Sequence, residues 1–120
     1  MNYWYEDDSL TIDMIATIYE TDTDIFISIE LNEESEQGTI ILYDPYGSQL
    51  YGEGYIYKDT FSNDNTDIYG FISNTTDAST ETSLKEMLSV CVASALIQAD
   101  VILRNSDAGV SLYDLGFTNY

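Results

Sequence analysis

Residues Ser83–Arg104, SLKEMLSVCVASALIQADVILR, decide the fold. Leu84, Met87, Leu88, Cys91, Val92, Ala95, Leu96, Ala99, Ile102 and Leu103 recur at steps of three and four, which places them along one face of an α-helix. Ser83 and Glu86 have the spacing of a capping box, Arg104 supplies a cation where the helix dipole favours one, and Asn105 suits a left-handed cap. So long an apolar stripe has to be covered. The residues that precede it supply the cover.

Upstream the apolar period falls to two. Leu10, Ile12, Met14, Ala16 and Ile18 alternate with Thr11, Asp13, Ile15, Thr17 and Tyr19, and Ile25, Ile27, Ile29 and Leu31 alternate with Phe26, Ser28 and Glu30. The polar stretch Glu20–Asp24 between them makes the pair a hairpin. Asn32–Gly38 (NEESEQG) is a loop too acidic to bury, Thr39–Tyr43 is the next strand, and Asp44-Pro45-Tyr46-Gly47 has the chemistry of a turn into Leu50–Tyr57. That strand has Tyr51, Glu53, Tyr55 and Tyr57 on one face and Leu50, Gly52, Gly54 and Ile56 on the other, where the glycines would admit a closely packed helix. Thr66–Ser73 reads as a fifth strand and Val110–Leu115, beyond the helix, as a sixth. Without βα alternation the expected fold is α+β: an antiparallel sheet of five to six strands packed against one long C-terminal helix, in a single domain spanning 1–120.

Composition bounds the function. Asp and Glu number 22 against 3 Lys and Arg, with no histidine, for a net charge of -19. Seventeen of the acids lie in residues 1–77, opposed by Lys58 alone. Sixteen aromatic residues, eleven of them tyrosine, exclude a disordered acidic tail. Self-repulsion of this size destabilises a compact state, so the field points to steering toward a basic partner, and it disfavours direct binding to nucleic acid or acidic membrane. Met1–Asp8 lacks the features of a signal peptide, and no apolar stretch is expected to approach the ~18 residues needed to span a bilayer. The lone Cys91 forms no internal disulfide, and the expected location is the cytoplasm of a host cell.

Catalytic apparatus is missing from the sequence. There is no histidine to activate a nucleophile, Cys91 lies on the apolar stripe as a core residue, and a phosphate would meet only Lys58, Lys85 and Arg104, with no GxxxxGK loop. The protein is therefore expected not to be an enzyme and to need no cofactor. Asn63-Asp64-Asn65-Thr66-Asp67 resembles the start of a calcium loop, but Ile68 stands where such a loop needs Gly and Asn74 where it needs Glu, so no metal site is expected.

The acids and tyrosines are the candidate partner-binding residues. Glu20, Asp22 and Asp24 follow one another at i, i+2, about 6.6 Å apart if extended, a row able to stand in for successive phosphates. Glu33, Glu34 and Glu36 fill the second turn, and Asp59, Asp64 and Asp67 surround the fourth. Tyr51, Tyr55 and Tyr57 with Glu53 have the mixture of aromatic anchor and charged rim found at protein interfaces, as do Tyr3, Trp4 and Tyr5 beside Glu6, Asp7 and Asp8, which read as preceding the first strand.

In size, charge and lack of catalytic apparatus the chain resembles the DNA-mimic inhibitors of phages and mobile elements, including anti-CRISPR and anti-restriction proteins. The resemblance lies in composition across the whole chain, and no motif assigns a residue. It implies inhibition by occupying the Lys/Arg groove that a host defence nuclease or complex uses for DNA. Two other readings fit the same composition: an immunity protein that neutralises a basic nuclease toxin, and a salt-adapted structural or self-associating protein, a homodimer included.

Overall fold

The period-two segments form strands, and each pairs with the next. The computed structural model describes residues 2–18, 23–44, 50–61, 66–73, 78–107 and 109–117. Six strands, β1 (Asn2–Glu6), β2 (Ser9–Ile18), β3 (Thr23–Asn32), β4 (Gln37–Tyr43), β5 (Leu50–Tyr57) and β6 (Tyr69–Ser73), run in that order across one antiparallel sheet. A short 3-10 turn, Lys58–Thr60, follows β5, and α1 (Ala78–Arg104) follows β6. The α+β architecture is the one the sequence predicts.

Register gathers the apolar positions on one face. Ile12 pairs with Ile29 and Ile29 with Ile40, while Leu10 pairs with Leu31, and all five are buried. α1 closes this face with Leu84, Leu88, Val92, Ala95, Leu96, Ala99 and Leu103, which join the strand residues in a single core. Burial of that stripe, at about 25 cal/mol per Å² of apolar surface, is the main force joining the two layers.

Several elements depart from the sequence reading. β1 was not expected: Glu6, Asp7 and Asp8 do not precede the first strand but turn β1 into β2, with Glu6 opposite Ser9 and both aspartates at positive φ (52° and 62°). That is the backbone of a two-residue type I′ hairpin, whose twist matches that of the flanking strands. Residues 66–68 lie outside the strand expected over Thr66–Ser73, which is confined to β6. The helix begins at Ala78, so Ser83 and Glu86 lie inside it and do not form a capping box at its start. Ala78–Thr82 adds no apolar periodicity, which leaves an extension of this kind invisible to the stripe.

Val110–Leu115 is not a strand. Leu112–Gly116 folds into successive turns, because Asp114 accepts hydrogen bonds from the Ser111 N–H (2.9 Å) and hydroxyl (3.1 Å) and so competes with extended pairing. Leu112, Leu115 and Phe117 are nonetheless buried. The buried Asp100 carboxylate fixes this segment to α1, accepting from the Leu112 N–H at 2.7 Å while pairing with Arg104 at 3.1 Å. Asn105 takes no left-handed cap, since Asp7 and Asp8 are the only described non-glycine residues at positive φ; its side chain donates instead to the Val101 carbonyl at 2.8 Å.

The space over Gly54 is filled first by Ile68, just ahead of β6, and by Tyr69 and Phe71 of β6, not by the helix. Cys91 is half-buried at the flank of the stripe, not enclosed, and burial pushes its thiol pKa up. Against the expectation that no apolar stretch approaches a bilayer span, Leu84–Arg104 is, by length and a mean hydropathy of 1.7, apolar enough to cross a membrane, because the few charges in it fall near its ends. In this fold its stripe lies against the sheet. The Asp44–Gly47 turn falls, after Asp44, outside the described residues.

Candidate partner-binding face

A single helix covers one side of the sheet, and among the described residues nothing covers the other. Strand register sets its residues in rows across the strands. One row runs Trp4, Thr11, Glu30, Thr39, Tyr55, Tyr69, and the next runs Asn2, Asp13, Ser28, Ile41, Glu53, Ile72. A third holds Ile15, Phe26 and Tyr43, with the Phe26 and Tyr43 rings 6.2 Å apart. At about 4.8 Å between strands the rows extend some 24 Å. Trp4 (53% exposed), Ile15 (62%) and Ile72 (64%) lie open to solvent among the carboxylates of Asp13, Glu30 and Glu53.

The three cations of the chain are absent from this face. Lys58 is buried just beyond the end of β5, against Asn32 and Leu115, and Lys85 and Arg104 are on α1 in the other layer. Asp13 is half-buried, and its Oδ1 is enclosed without a hydrogen bond. A desolvated acceptor of this kind costs about 1 to 3 kcal/mol until a donor reaches it.

Tyrosines anchor the β5–β6 side. Tyr55 and Tyr57 are edge to face at 5.5 Å, and Tyr69 completes the cluster at 4.8 Å from Tyr57 and 6.2 Å from Tyr55. A hydrogen bond with Tyr57, then the charge of that phenol and burial, raise the Tyr55 pKa. A bulge with Gly70 at φ 57° brings Tyr69 and Ile72 to the same face. A side chain at position 70 would meet the Tyr55 ring at 2.4 Å, which together with the left-handed backbone requires glycine there.

Acids crowd one end of the sheet. Glu33 N–H donates to the Asp8 carbonyl at 3.0 Å, which joins the β1–β2 turn to the exposed Glu33, Glu34 and Glu36 of the β3–β4 turn. Burial, followed by the charges of Asp8 and Glu33, raises the Tyr5 pKa. Glu33, Glu34, Glu36 and Asp59 also line a cavity of about 530 Å³ that has Lys58 and Tyr57 in its wall. Lys58 Nζ donates to the carbonyls of Asn32 (2.6 Å) and Leu115. Burial lowers its pKa, and Glu33 opposes that shift.

The residues expected from sequence are thus only partly brought together. Glu33, Glu34 and Glu36 cluster at one end, and Glu53, Tyr55 and Tyr57 share the bare face. Asp24 lies at the opposite end of β3, where it accepts from Thr17 Oγ1 at 2.7 Å. Asp67 sits at the β6 edge, sharing a cavity of about 670 Å³ with Tyr69, Lys85 and Glu86. Glu20, Asp22 and Asp64 are outside the described residues, as is the side chain of Tyr51. Of the sequence-expected trio Tyr3, Trp4 and Tyr5, only Trp4 reaches this face, while Tyr3 and Tyr5 pack against the core. Asp13, Glu30, Ile15, Tyr69 and Ile72 were not singled out; the alternation of β2 and β3 places Asp13, Ile15 and Glu30 opposite the core, and that was their signal.

Among the described residues no three acids or thiols converge as a metal site. Compared with protein-family models, curated proteins and solved structures, the chain gives no match.

Proposed function

We propose that the protein is a DNA-mimic inhibitor that blocks the nucleic-acid-binding groove of a host defence nuclease or complex. The observation that carries this reading is the segregation of charge. The bare sheet face presents carboxylates with no cation among them, the β3–β4 end sets Glu33, Glu34 and Glu36 around a lysine, Lys58, that is itself buried, and the exposed cations are in the opposite layer. Such a surface steers a Lys/Arg-lined groove toward itself and accepts charge-assisted hydrogen bonds there. Asp13 offers an unsatisfied acceptor, and the β3–β4 cavity has room for an arginine or lysine side chain. Trp4 and the tyrosine cluster supply the apolar anchors that charge alone does not.

Capture of a partner from host lysate at graded salt, followed by competition with duplex DNA, tests the proposal. Mimicry requires mutually exclusive binding that weakens as salt rises. A partner that holds this protein and DNA together, with neither affinity altered, sinks it. Glu30→Gln with Glu53→Gln should mainly slow association, whereas Tyr55→Ala should mainly speed dissociation.

A further inference from the structure

The solvent side of α1 is a second exposed apolar surface, and it differs from the sheet face in carrying no charge between Glu86 and Asp100. Val90 is 57% exposed and Val101 47%, and exposed Ser94 lies between them. With the half-buried Met87 and Ile97 they fall at 87, 90, 94, 97 and 101, alternating steps of three and four that keep one line along a helix. Glu86 and Asp100 bound a stretch, Met87–Ala99, without a single charged residue. A basic partner finds nothing to pair with there. In a chain of net charge -19, the copy-to-copy contact that meets least repulsion is this one.

We propose that this line is the interface of a homodimer in which two copies of α1 pack antiparallel. The charged ends fix the direction. Glu86 and Arg104 are exposed and eighteen residues apart, about five turns, so they stand on the same flank of the line. Antiparallel pairing about a two-fold axis brings like flanks together, and Glu86 of each copy then meets Arg104 of the other; parallel pairing would put like flanks on opposite sides and leave Glu86 with no arginine to meet. Arg104 already holds Asp100 at 3.1 Å, and its guanidinium has further donors for a second carboxylate. The axis passes near Ala95, which leaves the two Ser94 residues offset by roughly 3 Å along the helices, where small side chains permit close approach.

One helix pair buries less than the roughly 800 Å² per partner of a standard interface, and the two copies repel, so the dimer is weak. Salt screens that repulsion and strengthens it, opposite to its effect on a basic partner. The inference therefore stands or falls separately from the proposed function. Sedimentation equilibrium from micromolar to near-millimolar protein, at low and high salt, should show a monomer–dimer equilibrium shifting to dimer as salt rises. Val90→Glu and Val101→Glu should each weaken it about tenfold or more with the melting temperature kept, because in this register Val90 of one copy meets Val101 of the other and either glutamate would be desolvated against an apolar side chain. Ser94→Cys in a Cys91→Ser background should oxidise to a covalent dimer. A monomer under every condition, a dimer that salt dissociates, or one indifferent to both glutamates overturns the proposal; a sedimenting dimer that fails to cross-link overturns its antiparallel register.

Discussion

Lys58→Met tests how the acidic end of the sheet is held. Lys58 Nζ joins the Asn32 carbonyl at the end of β3 to the Leu115 carbonyl of the C-terminal turns, under the charges of Glu33, Glu34, Glu36 and Asp59. Methionine keeps most of the stem volume, so the substitution removes the ammonium and its donors with little cavity. The enclosed Leu115 carbonyl is left without its donor, at about 1 to 3 kcal/mol, while the exposed Asn32 carbonyl keeps the Ser35 N–H at 3.2 Å, and relief of the ammonium's desolvation offsets part of the cost. The net expectation is a loss of about 1 to 2 kcal/mol, or roughly 3 to 10 °C in a domain of this size. Urea denaturation should show a lower midpoint with unchanged slope. The pH dependence adds a signed check. Burial lowers the folded-state pKa of Lys58 below its ordinary 10.5, so between those values the unfolded chain binds more protons and stability from this group rises with pH. The gap between wild type and variant should therefore widen as pH climbs toward 10.5. Equal midpoints at neutral pH, or a gap that closes on alkalinisation, would refute the reasoning.

Three further outcomes are expected. Leu88→Ala removes a fully buried contact between α1 and the sheet and should cost about 2 to 5 kcal/mol in a thermal or urea melt. Asp8→Gly relieves a left-handed residue in the β1–β2 hairpin and should stabilise by about 0.5 to 1 kcal/mol, visible as a raised melting temperature. The raised pKa values of Tyr5, Tyr55 and Cys91 mean that the folded chain keeps protons the unfolded chain releases; this contribution is complete below the ordinary values of 9.0 for the thiol and 10.0 for the phenols and is lost above them. In Lys58→Met, where the opposing lysine is gone, the urea midpoint should fall from about pH 9 upward, and Tyr5→Phe should flatten the fall.

The fold was legible wherever one period ran long enough to be read. Ten residues of alternation in β2 and again in β3 fixed strands and buried face together, and the stripe from Leu84 to Leu103 fixed the helix and its partner. Short or locally bonded segments were not legible. β1 has five residues and joins the sheet through an aspartate pair whose left-handed backbone resembles acidic loop in sequence. At Val110–Leu115 the apolar residues do go inside, but Ser111 and Asp114 divert the backbone into turns.

The candidate site was legible in its chemistry and not in its geography. Charge and tyrosine content announced an anionic, aromatic surface, but which acids share it depends on register and on the bulge at Gly70, which puts Tyr69 and Ile72 on one face although they are three residues apart. Strict alternation would have separated them. A meander of six strands with a single covering helix leaves one face open, and placing the exposed cations on that helix gives the open face one sign of charge. The two layers then turn different surfaces outward: an acidic face, the proposed seat of a basic partner, and an uncharged helix line, the proposed seat of a second copy. Pairing through the helices would leave both acidic faces exposed, so a dimer could engage two basic grooves at once. Raising salt should favour the pairing of copies while weakening the capture of the partner, and measuring both on one preparation separates the two surfaces without any substitution.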